Sequence, residues 1–177
     1  MALLKESDLK SYAVKRSISM ESASSRQLDY ETFDIFLSHS YMDKDLIFRL
    51  KNYLEDNDLS VYVDWIDDHQ LERESVDAET AQTLRKRMKQ CQSLVFATSS
   101  NSTTSKWMPW ECGYFDGING KIAILPISST DENSFEGQEY LGLYPYIDVT
   151  SSTIWINSIK SGYCDIKEWL NGKSPDS

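Results

Sequence analysis

Phe33-Asp34-Ile35-Phe36-Leu37 is an apolar run too short for a helix, and it stops abruptly in Ser38-His39-Ser40. Beyond it Ile47, Leu50 and Leu54 recur at three- and four-residue spacing, with Asp43 placed to cap them, so a strand feeds a helix through a short polar loop. Leu59 to Asp64 alternates and carries β-branched residues after an Asp56-Asn57-Asp58 turn, which predicts a second strand ending in Asp64 and Trp65. Ile66 to Val76 is acidic and non-periodic and reads as a long surface loop holding Asp67, Asp68, His69, Glu72, Arg73 and Glu74. Asp77 then caps a helix whose Ala81, Leu84, Met88 and Cys91 share a face, with Lys86, Arg87 and Lys89 near the end where the helix dipole favours cations. Leu94 to Thr98 is a third strand, Trp107 to Ile118 an aromatic-rich helix stopped by Gly120, and Ile122 to Pro126 a fourth strand. A fifth strand is expected within Tyr140 to Val149. Ile154, Trp155 and Ile159, then Ile166, Trp169 and Leu170, predict one or two closing helices.

Strands alternating with helices in this order predict an α/β fold with a parallel sheet. In open sheets of that kind ligands bind outside the carboxyl ends of the strands, which makes Ser38, His39 and Ser40 the working edge. The length of 177 residues suits one domain. Residues 1–29, polar with a weak stripe of Leu3, Leu4, Leu9 and Tyr12, are expected to be an N-terminal appendage to a domain spanning 30–177.

Composition narrows the partners. A net charge of -10, from 28 acidic and 18 basic residues, repels phosphate backbones and anionic lipid heads, so no nucleic acid and no membrane are expected as partners. There is no apolar run of about 20 residues to span a bilayer, and acids stand where a secretory signal would carry its apolar core, so a cytoplasmic protein is expected. Cys91, Cys112 and Cys164 are odd in number and lack metal-like spacing, so they read as free thiols with no metal site.

Four words carry a family resemblance when taken in this order and spacing: Phe33 to Ser40 followed by Asp43-Lys44-Asp45, Val61-Tyr62-Val63-Asp64, Leu94 to Ser99, and Ser105-Lys106-Trp107 leading to Trp110-Glu111. Over about residues 32–127 the chain resembles a bacterial Toll/interleukin-1 receptor (TIR) domain. The resemblance implies a flavodoxin-like fold, a five-stranded parallel sheet with helices on both faces. Two other doubly wound folds fail on the same residues. The turn after the first strand has no glycine for a dinucleotide fingerprint, and the third strand ends in Thr98-Ser99 where a phosphate-accepting receiver needs an Asp.

What the resemblance implies is an NAD-consuming enzyme like those of Thoeris-like antiphage systems, cleaving the nicotinamide-ribose bond to form ADP-ribose or a cyclic or conjugated signal. NAD is then substrate, with no cofactor. Self-association through TIR surfaces and a separate effector answering to the product are the implied partners. The alternative is a non-catalytic TIR-TIR interaction module. The family places a catalytic Glu near the start of the helix before the third strand, and Glu79 is the Glu in that first turn. Thr83 lies one turn further on, where some relatives carry the acid; Glu72 and Glu74 are the acids of the neighbouring loop. Ser38 and His39 are expected by resemblance to line the nucleotide cleft. Asp64 could meet ribose and Trp65 a ring, although Trp65 could equally anchor the loop. Glu111 reads as a structural carboxylate, and Tyr114 and Phe115 as core.

Overall fold

The computed structural model describes residues 3–12, 28–68, 71, 77–129, 139–150 and 153–177. The apolar alternation sorts itself onto two faces of one sheet. Ile35 and Leu37, Val61 and Val63, Val95 and Ala97, and Ala123 and Leu125 enter one core, while Phe36, Tyr62, Leu94 with Phe96, and Ile122 with Ile124 enter the other. The strands that carry them are β2 (Phe33–Ser38), β3 (Val61–Tyr62), β4 (Cys91–Thr98) and β5 (Ile122–Ser128), joined by β6 (Tyr146–Thr150). They run parallel in the order β3-β2-β4-β5-β6, the five-stranded flavodoxin-like arrangement expected from the sequence.

Helices cover both faces. On one side α2 (Lys44–Glu55) presents Ile47, Leu50 and Leu54 to Ile35 and Leu37; on the other α4 (Ala78–Lys89) and α5 (Trp107–Ile118) present Leu84, Met88, Met108, Cys112 and Phe115 to Phe36 and Phe96. Gly120 ends α5 at φ +72°, a left-handed conformation that glycine adopts without steric cost.

The first residues join the same sheet. β1 (Leu4–Lys5) pairs in parallel with the end of β5, and α1 (Glu6–Ser11) packs on α2 through Leu9, with Tyr12 edge-on to Tyr53 at 5.5 Å between ring centroids.

Three local expectations change. Ile154 and Trp155 are not helical: Thr153–Asn157 is β7, antiparallel to β6, and Tyr163–Asp165 is β8, antiparallel to β7. Ile154 and Ile156 alternate inward there while Trp155 stays half-buried, a period of two that the wider spacing to Ile159 had masked. The closing helix is α6 (Ile166–Leu170), with Asp165 and Glu168 forming a capping box. Asp43 makes no side-chain cap to α2. Ser40 accepts from the Met42 amide at 3.4 Å and starts a 3-10 turn, Tyr41–Asp43, before the helix. Finally, Asp64–Asp67 is a one-turn helix, α3, where the sequence suggested a strand end running into loop.

Candidate functional site

The carboxyl edge of the sheet is built from the ends of β2, β3 and β4. Ser38 is fully buried, and its hydroxyl donates to Glu111 Oε2 at 2.5 Å, tying the last residue of β2 to a buried carboxylate on α5. His39 follows. Its Nδ1 lies 2.9 Å from the Leu37 carbonyl, which only accepts, so Nδ1 carries a proton. The ring's Nε2 faces Asp64 Oδ1 at 3.8 Å, and both side chains are at most 2 % exposed.

The one-turn helix α3 holds its place through acids pulling in different directions. Asp64 Oδ1 also accepts from the Trp65 amide at 2.8 Å. Asp67 Oδ2 takes the Val63 amide at 2.7 Å and Lys51 Nζ of α2 at 3.2 Å, while Lys51 also reaches the Val61 carbonyl and Glu55. Burial lifts the Asp67 carboxyl above its ordinary value, and the nearby Lys51 charge offsets only part of that. Asp68 turns to the opposite face. Arg87 of α4 grips it with Nε to Oδ2 at 2.6 Å and Nη2 to Oδ1 at 2.9 Å, and the Tyr62 hydroxyl donates to the same carboxylate at 2.7 Å. Burial first, then the Asp64 and Asp68 charges, push the Tyr62 phenol well above its ordinary range. Arg87 further reaches Asp29 at 3.1 Å and Gln90 at 3.0 Å, and Gln90 donates to the carbonyls of Leu28 and Glu31, so the segment leading into β2 is tied to the same point.

The sequence marked Arg87 only as one of the cations near the end of α4, and nothing in it set Lys51 apart. The signal for Arg87 was present: it falls three residues after Leu84 and one before Met88, inside the apolar stripe of α4, where a cation needs a buried partner.

Above these buried pairs Trp65 is half-buried and Tyr41 is 39 % exposed. Lys44 lies over both rings, 3.8 Å from the Tyr41 centroid and 5.5 Å from that of Trp65. Glu79 stands in the first turn of α4, behind Asp77, which caps the helix as expected by accepting from the Thr80 amide at 2.8 Å. Its side chain is exposed, and among the described residues no hydrogen bond or ion pair engages it; Thr83, one turn on, is half-buried. The structure thus brings Ser38, His39, Asp64 and Trp65 to one edge, three of them beneath the surface. His69, Glu72 and Glu74 lie outside the described residues.

Glu111, read as structural, is fully buried on Ser38; Phe115 is core, whereas Tyr114 is half-buried and stacks on Trp110 at 5.7 Å. Among the described residues no group of three or more His, Cys, Asp and Glu side chains could hold a metal ion, and no helix is long and apolar enough to cross a membrane. A cavity of about 430 Å³ opens at the amino end of β5, lined among others by Lys121, Leu143, Ile159 and Trp169, and so lies at the other end of the sheet from this edge.

Comparison with known proteins agrees with the order of elements. The model of the TIR domain family matches residues 35–160. A Bacillus cereus (strain MSX-D12) protein named a probable 3' cyclic ADP-D-ribose synthase, ThsB', is 54 % identical over 145 residues, covering 78 % of this chain and 75 % of that protein. A Cytobacillus dafuensis protein with the provisional name cyclic ADP-D-ribose synthase TIR2 is 35 % identical over 103 residues, which cover 58 % of this chain and 27 % of that protein. With the parallel order of its five central strands, the polar end of β2 and a family match that runs from β2 past β7, the chain belongs to the TIR domain family.

Proposed function

We propose that the chain is an NAD-consuming enzyme that cleaves the nicotinamide-ribose bond and forms free, cyclic or conjugated ADP-ribose as a signal in antiphage defence. The observation that carries this reading is the 54 % identity, across most of both chains, with a relative named for cyclic ADP-D-ribose synthesis. Within the free, cyclic and conjugated outcomes, that name favours cyclisation.

The chemistry asks little of the protein. The pair of electrons in the bond between the ribose carbon and nicotinamide stays with the pyridine nitrogen, so nicotinamide leaves neutral without a general acid. The ribose is left with oxocarbenium-like positive charge, which one carboxylate can stabilise while it holds a ribose hydroxyl. A hydroxyl then attacks the ribose carbon and gives up its proton: that of water yields ADP-ribose, one within the same molecule yields the cyclic product. Glu79 is the carboxylate of this reading, exposed and uncommitted to any described neighbour. Ser38, His39, Asp64 and Trp65 form the nucleotide side of the cleft, Trp65 at its surface and the other three as its floor. NAD is substrate, and no cofactor is invoked. Self-association through TIR surfaces, a separate effector that reads the product, and a cytoplasmic setting belong to the same reading.

One observation favours a second reading, a TIR-TIR assembly module without catalysis: His39 and Asp64 are closed off from solvent, so substrate would meet them only after the surface above them moves.

Nicotinamide release by wild type and Glu79→Ala at high protein concentration, with products identified by mass, separates the two. Turnover by wild type and its loss in a folded Glu79→Ala is expected, and the product mass names the reaction. Equal turnover in both would remove Glu79 and turn attention to Glu72, Glu74 and Glu111. No turnover by either would favour the module.

A further inference from the structure

Asp43-Lys44-Asp45 sets one lysine between two acids in the sequence. The fold takes the three apart. The Asp43 carboxylate is claimed by β4's terminal turn, accepting from the Ser99 hydroxyl and from Asn101 Nδ2 at 2.6 Å. The Asp45 carboxylate turns along α2 to Arg49 Nε at 3.1 Å. Lys44 is left with no carboxylate partner among the described residues, its ammonium resting on the Tyr41 and Trp65 rings. The cations that flank the edge are differently placed: Lys51 is held by Glu55 and Asp67, and Arg87 by Asp68 and Asp29.

A chain of net charge -10 repels an anionic substrate, so a site for one needs a local cation that is not already neutralised. An ammonium on aromatic faces fits. The cation-π contact orients it and is worth only about 0.5–1 kcal/mol at an exposed site, whereas a carboxylate partner would have to be displaced against its own charge. The rings that hold it are also flat apolar surfaces on which a base or pyridine ring can stack.

Resting on the NAD reading above, we infer that Lys44 is the residue that binds the pyrophosphate of the dinucleotide, with Tyr41 and Trp65 as the aromatic wall beside it. The ligand class is a nucleotide pyrophosphate, present in NAD and retained in ADP-ribose. The ammonium leaves the ring faces for a phosphate oxygen, and the vacated face of Trp65 or Tyr41 receives a ring of the same molecule.

The test is calorimetric binding of ADP-ribose and of adenosine to wild type, Lys44→Met and Lys44→Arg, each at low and high salt, beside an NAD turnover assay of the wild type. Lys44 is half-buried at the start of α2, and methionine keeps its unbranched stem and helix propensity, so the variant folds; circular dichroism checks this. Lys44→Met is expected to weaken ADP-ribose binding about tenfold, the scale of one charged hydrogen bond. Lys44→Arg should retain most of the affinity. Salt should weaken the wild type more than Lys44→Met, and adenosine, lacking phosphate, should not distinguish the proteins. Equal ADP-ribose affinity in wild type and Lys44→Met, a matching loss for adenosine, or no ADP-ribose binding by wild type would each overturn the inference. Binding through Lys44 without NAD turnover would sink the enzyme reading and leave this one standing; turnover with unaltered Lys44→Met binding would do the reverse.

Discussion

Arg87 and Asp68 meet in a two-point fork, Nε to Oδ2 at 2.6 Å and Nη2 to Oδ1 at 2.9 Å, with the arginine side chain 3 % exposed. The fork joins α4 to the residue that closes the one-turn helix bearing Asp64 and Trp65. Lys51 on the opposite face holds Asp67, so this short helix, too short to be stable alone, is fixed from both layers of the domain.

Removing one partner of a buried ion pair leaves the other charge uncompensated. Arg87→Ala is therefore expected to lower the unfolding free energy by about 3–5 kcal/mol in urea titration. Arg87→Lys should recover only part, because an ammonium cannot meet both carboxylate oxygens in plane. An unchanged urea midpoint for Arg87→Ala would show that Asp68 does not depend on it.

Glu111→Ala leaves the Ser38 hydroxyl buried without its acceptor and should cost about 1–3 kcal/mol. Glu111→Gln keeps an acceptor oxygen at that place and should cost less. If this carboxylate is structural, Glu111→Gln also retains nicotinamide release; a folded Glu111→Gln without activity would give Glu111 a part in the chemistry.

Glu79 should behave in the opposite way. Exposed and without a described partner, it can be changed to Gln with a stability change within about 0.5 kcal/mol, while turnover falls to background. The comparison is thermal melting against nicotinamide release on the same preparation, and a large drop in melting temperature would mean that Glu79 also has a structural contact.

Burial pushes the Cys112 thiol up to about 11 from 9.0, and lifts Cys91 and Cys164 as well. The folded protein therefore holds protons that the unfolded chain releases from about pH 9, so stability is lost as pH rises from there toward 11. Cys112→Ala should flatten that alkaline fall. The three thiols should also resist alkylation at pH 8 until the protein is unfolded, all being buried; rapid labelling of the native chain would contradict their placement.

The sequence by itself determined the parallel framework. Apolar runs bounded by polar turns, and helices with one apolar face, have a period set by backbone geometry, and that is why β2, β4, β5, α2, α4 and α5 were all legible. It also marked Ser38, His39, Asp64 and Trp65 as strand-end residues at one edge. Periodicity could not say that Thr153–Asn157 pairs antiparallel with β6, because the signal is short and the pairing depends on a neighbouring strand. Nor could it say which carboxylate answers which cation. Asp43, Asp45, Asp67 and Asp68 look alike as a string of acids, yet Asp43 goes to Ser99 and Asn101, Asp45 to Arg49, Asp67 to Lys51 and Asp68 to Arg87. Those pairings join residues up to 58 positions apart. They are selected by the cost of burying an unpaired charge once the layers are assembled, a cost that exists only in the tertiary structure.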